Sequence, residues 1–227
     1  MEEQHYLEAY GKRNFRIKTM KLEKIQFITH QNSKYNYLDS AMLALENGIR
    51  FIQLRMKNSK HEEVIKVGKV LKEECKKYNA QLIIDDYVDL VNEIGAYGVH
   101  LGLKDMPINI ARKRLDKEKI IGGTANCFED VLMQYKLGAD YIGVGPFTHT
   151  TTKQNLSKIL GLKGYEDIIE KCKKNNIDIP IYAIGGIRLN DLEALKQTGV
   201  YGIAISSIIL ESPSPIETIK EIIHIWN

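Results

Sequence analysis

Four segments of this chain repeat one eight-residue form: Gly48-Ile-Arg-Phe-Ile-Gln-Leu-Arg55, Gly95-Ala-Tyr-Gly-Val-His-Leu-Gly102, Gly138-Ala-Asp-Tyr-Ile-Gly-Val-Gly145 and Gly199-Val-Tyr-Gly-Ile-Ala-Ile-Ser206. Each opens on a glycine after a helical stretch, the residue suited to the left-handed position just past a helix end. The fifth and seventh places are always Val, Ile or Leu. By the two-residue period of a strand they share one face, which helices would cover. The sixth and eighth places hold Gln53/Arg55, His100/Gly102, Gly143/Gly145 and Ala204/Ser206, polar or tiny, on the other face. An apolar outer set beside a polar or small inner set suits strands closed into a ring better than an open sheet.

The repeats fall within a longer alternation. Apolar runs at Ile25–Thr29, Phe51–Arg55, Leu82–Asp85, Val99–Leu101, Ile120–Gly122, Tyr141–Val144, Ile181–Ile184 and Ile203–Ser206 are each followed by a helix-like stretch. These stretches lie near 35–47, 60–79, 87–94, 108–115, 128–137, 165–175, 190–198 and 215–225. Strand and helix signals in strict alternation predict parallel pairing with crossovers. The repeats are then the even-numbered strands, which share side-chain layers in a (β/α)8 TIM barrel. An open doubly wound sheet is the competing α/β fold, but its GxGxxG fingerprint after a first strand is missing. No Pro/Gly/Ser-rich linker divides the series, so residues 21–227 read as a single barrel domain. Residues 1–20 are polar and aperiodic and read as an N-terminal extension, either a tag or a disordered segment.

Composition narrows the class further. Hydrophobic residues at 44% and charged residues at 27% exclude collagen, coiled coil or wholesale disorder. A formal charge of +3 makes no case for a nucleic-acid partner, so an anionic ligand has to be held by local groups. No apolar run is long enough to cross a bilayer. Cys75, Cys127 and Cys172 are far apart without a CxxC, and read as free thiols in a reducing cytoplasm.

In a (β/α)8 barrel the working face is the C-terminal end of the strands. The second strand leaves through Gln53, Arg55 and Lys57, at i, i+2 and i+4 on one face. Two cations and an amide donor make a clamp for an anion such as a diphosphate; a solvated ion-pair set is the plainer reading. The third strand ends in Asp85-Asp86, and adjacent carboxylates need a cation or a proton between them. Asp105, just past the fourth strand, is a candidate neighbour. Such carboxylates, with phosphate oxygens and water, suit Mg²⁺. Either Asp85 or Asp86 could equally cap the next helix. Gly145-Pro-Phe-Thr148-His-Thr150-Thr-Thr152-Lys153 follows the sixth strand and offers hydroxyl and ammonium donors. Gly185-Gly186 after the seventh strand and Ser206-Ser207 after the eighth occupy the usual phosphate place of this fold. Two anion sites therefore emerge, a clamp with carboxylates and a monophosphate cradle. His100 points inward and reads as a satisfied core histidine. No Ser–His–Asp or Cys–His pairing stands out.

Taken together and in order, Gln53-Leu-Arg55-x-Lys57, Ile84-Asp85-Asp86, Gly98-Val-His-Leu-Gly102…Asp105, Gly143-Val-Gly145-Pro146…Thr150-x-Thr152-Lys153 and Ile184-Gly185-Gly186-Ile187 resemble the thiamine-phosphate synthase family. The likeness runs from about Lys24 to about Ile209. It implies a cytoplasmic, Mg²⁺-using transferase with phosphorylated small-molecule substrates and a homodimeric option. That enzyme would join hydroxymethylpyrimidine diphosphate to a thiazole phosphate, plain or carboxylated, giving thiamine phosphate and diphosphate. The resemblance puts Gln53, Arg55, Lys57 and Lys153 on the diphosphate, Asp86 and Asp105 on Mg²⁺, and Thr150, Thr152, Gly186, Ser206 and Ser207 on the thiazole phosphate. Thr124 stands where the family has a serine near the pyrimidine, and Arg55, Lys57, Thr124 and Lys153 become the catalytic set. Asp85, with the substrate-binding residues, replaces a common Asn. Asn126 stands where the related thiazole tautomerases keep a proton-transferring histidine. That isomerase, and a silent phosphate-binding barrel, are the alternative readings.

Overall fold

The structure is a computed structural model that describes residues 22–149 and 158–226. Eight parallel strands form a closed barrel in sequence order: β1 (Ile25–Ile28), β2 (Phe51–Leu54), β3 (Gln81–Asp85), β4 (Gly98–Leu101), β5 (Ile120–Ala125), β6 (Tyr141–Val144), β7 (Ile181–Ile184) and β8 (Gly202–Ile205). The ring closes where β8 pairs in parallel with β1.

Helices α1 (Tyr37–Glu46), α2 (His61–Lys77), α3 (Leu90–Ile94), α4 (Ile108–Arg114), α5 (Phe128–Leu137), α6 (Gly161–Lys174), α7 (Leu192–Gln197), α8 (Ser207–Leu210) and α9 (Pro215–Trp226) lie between and after the strands. Their inner faces follow the helical period. α2 buries Val64, Gly68, Leu71 and Cys75, α6 buries Tyr165, Ile168, Ile169 and Cys172, and α9 buries Ile219, Ile222 and Trp226. The repeat glycines Gly48, Gly95, Gly138 and Gly199 all have positive φ. Each lets the chain leave a helix through a conformation that a Cβ disfavours.

Two apolar layers separate as the repeats require. Ile52, Leu54, Val99, Leu101, Ile142, Val144, Ile203 and Ile205 belong to the cluster shared with the helices. Phe51, Ile83, Ile120, Tyr141, Tyr182 and Ala204 form a separate cluster inside the ring. Small inward residues make room for large ones: a Cβ at Gly122 would lie 2.2 Å from the Tyr141 ring. Above this apolar floor the inward positions become polar, with Gln53, Asp85 and His100 all buried.

Several sequence boundaries are corrected. β2 ends at Leu54, and β8 ends at Ile205 with Ser206 at the N-terminal boundary of α8, a helix not expected. β5 runs on to Ala125 because both neighbours pair with it through the glycines. Neither Asp85 nor Asp86 caps the following helix, whose N-cap is Asp89. All three cysteines are free, as expected, and burial pushes the Cys75 thiol up to about 12. Among the described residues no helix is long and apolar enough to cross a membrane.

Candidate active site

The ends of β2, β3 and β4 carry the charged half of the barrel mouth. Thr29, fully buried after β1, accepts the backbone N–H of Arg55 at its Oγ1 (2.9 Å). That bond fixes the chain where Arg55 leaves β2. Gln53 Nε2 donates to Asp85 Oδ1 at 2.6 Å, and Arg55 Nε lies 3.5 Å from Asp85 Oδ2. Lys57 Nζ lies 3.5 Å from Asp86 Oδ2. All three side chains lean toward the end of β3.

Two buried oxygens there, Gln53 Oε1 and Asp85 Oδ2, have no hydrogen-bond partner among the described residues. Buried polar atoms ordinarily find partners; Asp85 Oδ2 has the Arg55 guanidinium 3.5 Å away. Asp85 is held above the usual carboxylate range by burial first and by the neighbouring Asp86 second, with Arg55, Lys57 and Gln53 opposing the shift.

Asp86 has φ +66°, a left-handed conformation tolerated by short polar residues, and its N–H donates to the His100 carbonyl at 2.9 Å. This geometry turns the carboxylate away from the Asp85 face and toward Asp105. Its pKa is raised, mainly by burial and then by Asp105 beside it. Asp105 Oδ2 accepts the Gly102 N–H at 2.6 Å, and a Cβ at Gly102 would sit 2.7 Å from the same oxygen. Two carboxylates from adjacent strand ends thus crowd together. This hard-oxygen arrangement fits Mg²⁺, which commonly takes one or two carboxylates and completes its shell with phosphate oxygens and water.

On the far side of the mouth, the segments after β6 and β7 are stitched together. Phe147 N–H donates to the Ile184 carbonyl and Thr148 N–H to that of Gly185, while Thr148 Oγ1 donates to the Gly186 carbonyl at 2.6 Å. Gly185 and Gly186 have φ +92° and +70°. A Cβ on Gly186 would stand 2.6 Å from the His149 carbonyl oxygen, so only glycine fits this approach. Ser206 Oγ is buried without a partner among the described residues, and Ser207 opens α8. Since β8 pairs with β1 and β1 with β2, this cradle and the clamp share one end of the ring. Thr150, Thr152 and Lys153 lie outside the described residues.

Between the halves, Thr124 near the end of β5 shares its Oγ1 with His100 Nε2 at 3.0 Å. His100 is satisfied, as expected of it. Its partner Tyr141, and Gln26 behind it, were missed, although Gln26 is a polar residue inside the apolar run Ile25–Thr29. Asn126 Nδ2 donates to the Gly145 carbonyl.

A (β/α)8 barrel with a cationic clamp, paired carboxylates and a glycine–serine cradle at its mouth defines an enzyme class that handles phosphorylated small molecules. Comparison with known proteins narrows the class. The profile described as thiamine monophosphate synthase matches residues 25–209, and the chain belongs to that family. The thiamine-phosphate synthase of Phocaeicola vulgatus is 53% identical over 205 residues, covering 90% of this chain and 99% of its own. The structure of thiamine phosphate pyrophosphorylase from Pyrococcus furiosus superposes with a TM-score of 0.80 at 33% identity, covering 94% of this chain and 98% of its own. A 3-hexulose-6-phosphate synthase from Salmonella typhimurium shares the fold alone, with a TM-score of 0.64 at 19% identity over 90% of this chain and 98% of its own.

Proposed function

We propose that this protein is a thiamine-phosphate synthase: it condenses hydroxymethylpyrimidine diphosphate with a thiazole phosphate, releasing diphosphate. The observation that carries the assignment of residues is the convergence of Gln53, Arg55 and Lys57 on Asp85 and Asp86, beside Asp105, at the same barrel end as Gly186 and Ser206.

In this reading Arg55, Lys57 and Lys153 meet the diphosphate, and Gln53 orients it. Arg55 and Lys57 rest on Asp85 and Asp86 until an anion arrives, so the clamp is preorganised. Asp86 and Asp105 would hold Mg²⁺, which supplies positive charge against the departing diphosphate when bound. The C–O bond ionises with its charge facing the cations. The pyrimidine methylene is left as a resonance-stabilised cation, which the thiazole nitrogen captures. That nitrogen is already a nucleophile, so the protein needs neither a covalent nucleophile nor a strong base. Gly186, Ser206, Ser207, Thr150 and Thr152 hold the thiazole phosphate, and Ser206 Oγ is the buried hydroxyl awaiting an acceptor. Holding both reactants in one water-poor mouth supplies the remainder of the rate. Asn126 carries no titratable proton, so the isomerase reading loses its proton carrier.

The test is product formation by the purified protein from both substrates with Mg²⁺. Arg55→Ala and Asp86→Ala are each expected to lower turnover at least about tenfold, ~1.4 kcal/mol of transition-state stabilisation. Unchanged steady-state rates in both variants would refute the site.

A further inference from the structure

Thr29 is a hydroxyl sealed behind the clamp. It follows β1, is 0% exposed, and no step of the proposed reaction uses it. By the two-residue period it continues the outer face of Phe27, which packs with the helices, so a guest in the mouth cannot touch it. A hydroxyl buried this completely costs free energy unless it is hydrogen-bonded. Both of its bonds go to the clamp strand. The Thr29 N–H donates to the Gln53 carbonyl at 2.9 Å, and Thr29 Oγ1 accepts the Arg55 N–H at 2.9 Å. β1 and β2 pair in parallel as far as Ile28 and Gln53, and β2 ends at Leu54. Arg55 has therefore left the sheet, and the Thr29 hydroxyl stands where a β1 carbonyl would continue the ladder.

The turn that carries Thr29 is itself anchored. Asn32 Oδ1 accepts the N–H groups of Lys34 and Tyr35 at 2.8 and 2.9 Å, and the Asn32 N–H donates to the Tyr35 carbonyl at 3.0 Å. Asn32 Nδ2 reaches the carbonyl of Leu210, at the end of α8, at 3.4 Å. The side-chain end of Arg55 is held more loosely than its backbone. Its Nε lies 3.5 Å from Asp85 Oδ2, close enough to attract, but that oxygen has no hydrogen bond among the described residues. The direction in which the guanidinium enters the mouth is therefore set from the backbone end.

We propose that Thr29 is a positioning residue of the reaction: its buried hydroxyl sets the angle at which Arg55 meets the diphosphate, without touching it. The proposal rests on the synthase reading above and adds to it a residue outside the mouth. A guanidinium fork holds an anion through parallel N–H bonds, so a small turn of its stem forfeits one of them.

Calorimetric titration of inorganic diphosphate with Mg²⁺ into the wild type, Thr29→Val, Thr29→Ala and Thr29→Ser tests it. Valine and alanine remove the acceptor of the Arg55 N–H, and serine keeps it; alanine gives the reading where valine disturbs the packing. The valine and alanine proteins should bind diphosphate about tenfold more weakly, and the serine protein within about twofold of wild type. In steady-state kinetics the loss should fall on kcat/KM for the pyrimidine diphosphate and leave the KM of the thiazole phosphate where it was. The deciding arm is a double variant. If Thr29 acts through Arg55, Thr29→Val added to Arg55→Ala should cost no further diphosphate affinity. The same loss with and without Arg55 overturns the proposal, as does wild-type affinity in a folded valine or alanine protein. A serine protein as weak as the valine one, or an equal rise in KM for both substrates, also overturns it. A wild type that binds diphosphate but forms no thiamine phosphate overturns the synthase reading instead, and the affinities still decide the part of Thr29.

Discussion

Asp85 shows how much one carboxylate can be asked to do. It is 6% exposed, receives the Gln53 amide on one oxygen and faces Arg55 with the other. Burial and Asp86 raise its pKa in the folded state. A raised native pKa means the folded protein holds this proton where the unfolded chain releases it. The associated stability is present below the ordinary carboxylate range and lost as pH rises through the higher native value. In metal-free protein, Asp85→Asn lacks this slope. Its melting temperature relative to wild type should therefore climb as pH rises from the ordinary carboxylate range toward neutrality, and the variant should remain active. A gap that stays flat or narrows with pH would show that Asp85 is not strained by its ionised form. The sequence shows that two carboxylates follow each other here, and that alone predicts mutual repulsion. It cannot show that Asp86 adopts φ +66° and swings to Asp105 while Asp85 continues the inward face, because that choice depends on the turn that ties Asp86 N–H to His100 on the next strand.

Strands and their exits were legible where side-chain alternation is strong, and blurred where glycine takes over. The outward Val, Ile and Leu of β2, β4, β6 and β8 announce both the period and the helical cover. In β5 the pair Gly122-Gly123 has weak strand preference, so a local reading stops there. Pairing with β4 and β6 carries the strand on to Ala125 and lifts Thr124 to the mouth. Helix α8 escaped notice because four residues are too few to display a helical period. At the β6 and β7 exits Gly185-Gly186 is needed where two loops meet backbone to backbone. Gly186→Ala puts a methyl 2.3 Å from Thr148 Oγ1 on a residue at φ +70°. Strain of this kind costs about 1–3 kcal/mol. The variant should melt lower and show a raised KM for the thiazole phosphate, with the KM for the pyrimidine diphosphate little changed. A normal melting point and normal kinetics would mean the two loops are not fastened as described.

The barrel as an assembled ring is what joins these parts, since no local stretch contains both of the proposed anion sites. Clamp and cradle lie some 130 residues apart in sequence, from Arg55 to Gly186, and only closure of β8 onto β1 makes them neighbours. Fold and family could be read from periodicity and motif order because both are distributed along the whole chain. The buried hydrogen bonds behind Thr124 could not, because Gln26, His100, Thr124 and Tyr141 come from four strands and meet only inside the closed ring. In the proposed function one of the two anions is bound through a divalent ion and the other through backbone and hydroxyl donors alone. Calorimetric titration with inorganic diphosphate, with and without Mg²⁺, in the wild type and in Asp86→Asn, separates these. Diphosphate should bind the wild type much more tightly with Mg²⁺ than without, and the gain should vanish in Asp86→Asn. Binding of equal strength with and without the metal, or a gain that survives in Asp86→Asn, would contradict it.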